Sequence, residues 1–242
     1  MKRLQLISTL LIFTTRTMAW RSSGSSNAEL VENLRKNRVL ASRRAYDAMM
    51  AVDRADFSPR HPYQDAPQGI GYNATITAPH MHAAALDYLQ NHLVAGANAL
   101  DVGSGSGYLT VCMAKMIGST GTVVGIEHMP ELVELSKKNI KKNNRELIEN
   151  GNVLMIEGDG RQGFAEKAPY NAIHVGAAAK GVPKALLDQL AEGGRMMIPV
   201  EDKYGNQMFK QIDKINGEIK EEVVADVMYV PLTTREHQLN RR

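Results

Sequence analysis

The residues best suited to chemistry are a run of glycines and three acids. Residues 100–110 read LDVGSGSGYLT, an apolar run that breaks into alternating glycines. Glycine lets a backbone approach a ligand with no Cβ in the way. Asp101 stands inside this run, Glu127 closes TVVGIE, and Asp159-Gly160 closes LMIEGDG. Acids and glycines at the ends of short apolar runs suit a nucleoside-like ligand with hydroxyl and amino groups to be bonded. The dinucleotide fingerprint needs glycine at its first, third and sixth positions. Counted from Gly103 those positions are Gly103, Gly105 and Tyr108, so the third glycine, Gly107, comes one place too early. No Gly-Lys-Ser/Thr follows, which excludes a nucleotide P-loop. No metal-ligand spacing and no Ser-His-Asp arrangement is present, so no metal site is expected.

These residues must be positioned by elements the sequence also shows. From Ala97 short apolar runs alternate with helical patterns. Strands are expected at Ala99–Val102, Thr122–Ile126, Asn152–Ile156, Ala172–Val175 and Arg195–Val200, with helices starting near Gly107, Pro130, Gly160 and Pro183. This alternation predicts an α/β fold, a doubly wound and mostly parallel sheet with helices on both faces. The segment from Gly205 to Leu232 reads as two strands joined at Asn216-Gly217, an antiparallel edge. Upstream, Ser26 with Glu29 forms a capping box for a helix to about Lys36. A second helix starts at Ser42, and a third runs from His80 to about Leu93 behind Pro79. The chain divides into an N-terminal helical part (18–95), a ligand-binding core (96–200) and C-terminal strands (201–242), together one domain.

Composition narrows the classes. The 242 residues hold 43% hydrophobic and 23% charged residues, enough to bury a full core. A net charge of +3 and 5% aromatic content offer no basic stripe and no stacking platform, so no nucleic-acid partner is expected. The basic run at 137–145 reads as the solvated end of a helix. The single Cys112 falls among apolar helix residues and reads as core. Lys2-Arg3 followed by LQLISTLLIF looks like the start of a signal peptide, too short for a membrane anchor. Met18 is an alternative start. Asn73-Ala-Thr75 is a glycosylation sequon close to the expected site, which counts against secretory passage. The reading is a cytoplasmic monomer with no membrane partner, 1–17 being an untranslated or signal-like extension; secretion is the alternative.

The pattern apolar-apolar-Asp-apolar-Gly-x-Gly-x-Gly resembles motif I of S-adenosylmethionine-dependent methyltransferases. A carboxylate against the turn suits a ligand with ammonium and sulfonium charges better than one with a pyrophosphate. The stretches MAWRSSG, HPYQDAPQGIGY, ATITAPHMHA, GDGRQGFAEKAPYNAIHVGAAA and YVPLT extend the likeness from Met18 to about Gln238. Together they resemble the protein-L-isoaspartate (D-aspartate) O-methyltransferase family. That resemblance implies methyl transfer from S-adenosylmethionine to the α-carboxylate of isoaspartyl residues in damaged proteins, leaving S-adenosylhomocysteine. It implies that Ala74, Thr75, Ile76, Thr77 and His82 line the methyl-transfer end. Asp101, Gly103, Gly105, Ser106, Glu127, His128, Asp159 and Gly160 hold the rest of the cofactor, and Thr233 and Gln238 close over it. Thr77, where the family usually has serine, is the expected catalytic hydroxyl; just before Ala78-Pro79 it also suits a helix N-cap. Thr77 and His82 would meet the substrate, with Val230, Pro231 and Leu232 in a 227–232 edge strand that pairs with the peptide. The alternative is a catalytically weak regulatory module that binds the same cofactor. Asn150-Gly151 and Asn216-Gly217 are the places where the protein itself should form isoaspartate, so aged samples should methylate themselves slowly.

Overall fold

The computed structural model describes residues 22–240; the leader-like segment 1–17 lies outside them. Among the described residues no helix is long and apolar enough to cross a membrane.

Seven strands form one sheet: β3 (Asn98–Val102), β4 (Thr122–Glu127), β5 (Val153–Glu157), β6 (Tyr170–Val175), β7 (Leu190–Glu201), β8 (Gln207–Ile215) and β9 (Glu218–Val227). Their order is β5-β4-β3-β6-β7-β8-β9. β3 to β7 run parallel, and β8 and β9 join antiparallel at one edge, as the sequence predicts. A separate hairpin, β1 (Gln68–Gly71) and β2 (Ala74–Ile76), stands off the sheet. It turns through Tyr72 and Asn73, both at positive φ (53° and 56°), the left-handed geometry of a two-residue hairpin loop.

The chain winds from β3 outward to β5, then returns to β6 on the other side of β3. Strand order therefore reverses between β3 and β6, and a ligand crevice opens beyond their carboxyl ends. The central strands are buried on both faces. Ala99 and Val123 join a core with α1 (Asn27–Lys36), α2 (Arg43–Ala51), α3 (Pro79–Leu89), α4 (Tyr108–Ile117) and α5 (Pro130–Asn143). Leu100, Val102 and Val124 face the opposite core, with Leu186 and Leu190 around α7 (Lys184–Gln189). A short α6 (Arg145–Glu149) follows α5.

Three sequence expectations need correction. The helix expected at Gly160 is two short 3-10 turns, Gly160–Gln162 and Ala165–Lys167. The Gln189 amide satisfies this segment from a distance, accepting from the Phe164 N–H at 2.9 Å and donating to the Gln162 carbonyl at 2.8 Å. A Cβ on Gly163 would lie 2.3 Å from Gln189 Oε1, so the bracket requires glycine there. The third helix stops at Leu89 rather than about Leu93, where Arg44 of α2 takes the Gln90 carbonyl and, next door, that of Met116. Finally, β7 starts five residues before Arg195, the added length including an irregularity in its pairing with β6. Both Asn-Gly pairs lie in turns. The Gly151 N–H is bonded to the Ile148 carbonyl and the Gly217 N–H to Glu192, which ties up the two amides that would close a succinimide.

Candidate active site

The turn after β3 enters the crevice through Gly103, Gly105 and Gly107, all at positive φ (72°, 51° and 88°). That geometry is open to glycine and strains other residues. Glu127, at the tip of β4, reaches back to this turn. Its Oε2 accepts the Gly105 N–H and its Oε1 the Met129 N–H, each at 3.1 Å. The side chain is buried, so these backbone dipoles offset the cost of holding the carboxylate there. Nearby, Ser104 Oγ is buried without a partner among the described residues. Gly103, Gly105, Ile126, Glu127, His128, Gly160, Gly176 and Ala177 line one wall of the cleft.

The opposite wall comes from three distant segments. Ala74 and Thr75 contribute from the hairpin, Val230 to Thr233 from the chain after β9, and Gln238 from α8 (Arg235–Leu239). Gln238 works as a clasp. Its Nε2 donates to the Tyr72 carbonyl and its Oε1 accepts from His128 Nε2, both at 2.8 Å, while its own carbonyl accepts from Asn73 Nδ2 at 3.0 Å. Asn73 of the sequon is thus inside the clasp.

The remaining expected residues are distributed as follows. Asp159 forms the N-cap of the 3-10 turn and holds Arg161 in a two-pronged pair, the closest contact 2.7 Å. The Arg161 guanidinium keeps this carboxyl below the usual range. A Cβ on Gly160 would lie 2.5 Å from Val102 Cγ1, so packing against β3 demands that glycine. Ser106 is buried under α5, its carbonyl accepting from Asn139 Nδ2. Ile76 is buried in the hairpin.

Asp101 requires a correction. It is buried and directed under α4, its Oδ2 accepting from Thr110 Oγ1 at 2.6 Å and its Oδ1 engaging His174 Nδ1 at 2.8 Å. Both oxygens are bonded to buried side chains, so the acid braces β3, β6 and α4, and it is not among the residues that line the cleft. The edge-strand expectation at 227–232 also narrows. Gln207 takes both backbone groups of Tyr229, and Ala178 takes the Val230 carbonyl and the Leu232 N–H. The Val230 N–H and the Pro231 and Leu232 carbonyls lie outside these pairings.

Thr77 does not cap α3. Ala78 is the N-cap residue, and Asp65 accepts the His80 N–H in its stead at 3.0 Å. The Thr77 hydroxyl has no partner among the described residues, while its carbonyl accepts from Arg54 Nη2 at 2.7 Å. His82 lies one turn into α3, buried, with Nδ1 3.2 Å from Arg54 Nη1. Burial and that guanidinium push its pKa well below the ordinary imidazole value, so His82 is neutral. Sequence reasoning missed Arg54, His174, Gly176 and Ala177. The last three sit at the end of β6 and just beyond it, in HVGAA, a strand-then-glycine signal like that at Gly103.

A second hollow of about 590 Å³ opens beyond Leu232 and Thr233, lined by Arg161, Lys180 and Lys184. It is far larger than the cleft at the strand tips, but it has neither the glycine turn nor Glu127. The glycine turn and Glu127 both line the smaller cleft.

The comparisons with known proteins agree with this geometry. A family model for protein-L-isoaspartate(D-aspartate) O-methyltransferase matches residues 25–237. A Caenorhabditis elegans protein-L-isoaspartate O-methyltransferase is 78% identical over 224 residues, 93% of this chain and 100% of that one. An Arabidopsis thaliana protein-L-isoaspartate O-methyltransferase 2 is 50% identical over 222 residues, covering 90% and 71%. The crystal structure of a Plasmodium falciparum protein described as a putative protein-L-isoaspartate O-methyltransferase, in complex with S-adenosyl-L-homocysteine, superposes with a TM-score of 0.82 at 39% identity, covering 87% of this chain and 99% of that one. On fold, site and relatedness together, the chain belongs to the protein-L-isoaspartate (D-aspartate) O-methyltransferase family.

Proposed function

We propose that this chain moves a methyl group from S-adenosylmethionine to the α-carboxylate of L-isoaspartyl, and also D-aspartyl, residues in damaged proteins. The single observation that carries this reading is the convergence at the β3–β6 switch point: a positive-φ glycine turn, a backbone-bonded Glu127 and three closing segments. The bound cofactor supplies an electrophilic methyl on a sulfonium sulfur.

Glu127 and His128 suit the ribose hydroxyls, and the Gly103–Gly107 turn with Ser104 suits the amino-acid end. Asp159 and Gly160 lie on the side where an adenine edge would be read. Asp159 can bond that edge while keeping Arg161, since each carboxylate oxygen accepts more than one hydrogen bond. Thr77, with its hydroxyl unengaged, orients the incoming carboxylate; Thr75 and Pro231 border its approach. A substrate carboxylate is ionised near neutrality, so it arrives as the nucleophile and needs no base. The work left for the protein is alignment and exclusion of water.

The cleft holds only about 50 Å³ in this state, against roughly 300 Å³ for small ligand pockets. Admission of the cofactor therefore includes release of the Gln238 clasp. We read the enzyme as a cytoplasmic monomer without a nucleic-acid or membrane partner, in keeping with mild charge and a sequon residue locked inside the clasp.

The test is methyl transfer to an isoaspartyl peptide beside its aspartyl twin. Transfer to the first alone is expected. Silence from both, with S-adenosylhomocysteine still bound, would replace this reading with a regulatory cofactor-binding module.

A further inference from the structure

Arg54 is fully buried, and no carboxylate among the described residues lies within ion-pair distance of it. A buried cation is costly unless paired, so its persistence needs a reason. It sits in the 3-10 turn Arg54–Asp56 after α2, and its contacts run to the methyl-transfer end. Nη2 donates to the Thr77 carbonyl at 2.7 Å, Nη1 meets His82 Nδ1 at 3.2 Å, and the guanidinium lies 5.0 Å over the Tyr108 ring. Its Nε has no partner. The acid whose charge acts on it, Asp65, spends its Oδ1 on His80, and its Oδ2 is unpartnered.

A guanidinium only donates hydrogen bonds. His82 Nδ1 must therefore be the lone-pair nitrogen, and the imidazole proton must reside on Nε2. That Nε2–H has no partner among the described residues. The Thr77 hydroxyl, five residues upstream, also has none among the described residues.

We propose that Arg54 is a positioning residue that makes this end of the cleft selective for a carboxylate anion. It does so by fixing the His82 proton on Nε2, by pinning the Thr77 carbonyl, and by leaving one buried positive charge for the substrate's negative charge to balance. The inference rests on the proposed isoaspartyl reading, which it deepens. The same wall would turn away the uncharged carboxamide twin of the substrate, because a primary amide brings donors to donors and leaves the cation unbalanced.

Two measurements test it. The first needs no substrate: ¹⁵N chemical shifts of the His82 ring in the native protein. A protonated Nε2 and bare Nδ1 are expected, and the tautomers should mix in Arg54→Met, where the donor is gone. The second is competition by an isoaspartyl peptide against its isoasparaginyl twin. The native protein should prefer the carboxylate by roughly tenfold or more, the size of one charge-assisted hydrogen bond. Arg54→Met should lose most of that preference through KM, with kcat changed less. Arg54→Lys, which keeps the charge, should retain part of it. Calorimetry with S-adenosylhomocysteine checks that each variant is folded. If Arg54→Met fails that check, Arg54→Lys and the native tautomer decide.

A native His82 protonated on Nδ1 would overturn the proposal. So would a folded Arg54→Met that keeps its full preference for the carboxylate. Absence of any isoaspartyl methylation by the native protein would instead strike the proposed function, and the tautomer result would still stand by itself.

Discussion

Asp101 and Glu127 sit on adjacent strands of one sheet, close to the same crevice, yet the fold uses them in opposite ways. Glu127 ends its strand, so its side chain faces the turn and is held by the N–H groups of Gly105 and Met129. Asp101 lies one residue short of its strand's end and shares a face with Ala99, pairing in register with His174. It is covered by α4 and held by Thr110 and His174. Asp101 pairs in register with Gly125, so Glu127 lies on the same face of the sheet but two residues farther toward the carboxyl ends of the strands. That difference in depth leaves one acid on the wall of the cleft and makes the other a brace.

The largest effect should come from the brace. Asp101→Ala leaves Thr110 and His174 buried without their acceptor, and breaking such a buried set costs about 3–5 kcal/mol. Thermal unfolding should fall by many degrees, while S-adenosylhomocysteine affinity of the protein that stays folded changes little. A large loss of affinity with unchanged unfolding would show that Asp101 reaches the ligand after all.

Glu127→Ala should give the reverse. Two charge-assisted hydrogen bonds of about 1.5–3 kcal/mol each are at stake for the ribose, so calorimetry should show affinity for S-adenosylhomocysteine down roughly 100-fold or more. The melting temperature should move little, because water reaches the freed N–H groups at the crevice mouth. Unaltered affinity would remove Glu127 from the site.

How much of this was legible in the sequence follows from the range of each interaction. The five parallel strands announce themselves through short apolar runs, and the turn at 103–107 through its glycines, because both signals are local. The brace was half legible: period-two alternation puts Asp101 beside Ala99, and Thr110 lies only nine residues on. The rest depends on distant partners. Thr77-Ala78-Pro79 has the local form of a cap, but Asp65 takes that place from an irregular loop. Gly160 has the local form of a helix start, but Gln189 stabilises turns instead. Arg54 lies 28 residues from His82, and nothing in VDRADF marks it as buried.

The methyl-transfer end should also make itself felt in the pH dependence of stability. Folding depresses the His82 pKa well below 6.5, through burial first and the Arg54 charge second. The unfolded chain therefore binds an extra proton below about pH 6.5, and stability should be fully present above that value and fall as pH drops below it. His82 alone contributes a slope of about 1.4 kcal/mol per pH unit in that window. His92, lowered mainly by its burial, adds to it. Chemical denaturation from pH 7.5 to 5 should show this slope, and His82→Asn should reduce it without removing it. An identical slope in the variant would mean that His82 is already protonated in the fold.

The clasp should give the smallest effect, and a kinetic one. Gln238 joins the hairpin turn to His128 through two side-chain hydrogen bonds, each contributing about 0.5–1.5 kcal/mol. Gln238→Ala removes the two side-chain bonds and leaves the Asn73 contact to the backbone carbonyl. The strand-tip wall is untouched, so bound cofactor should still be held by Glu127 and the glycine turn. What changes is the cost of opening. Stopped-flow release of S-adenosylhomocysteine should accelerate several-fold, and association should rise with it, leaving the equilibrium affinity within about threefold if opening is shared by both directions. The comparison with Glu127→Ala then separates a gate from a ligand contact: one moves both rates together, the other mainly dissociation. Rates equal to those of the native protein would place the entrance elsewhere, on the side of Pro231 and Thr233.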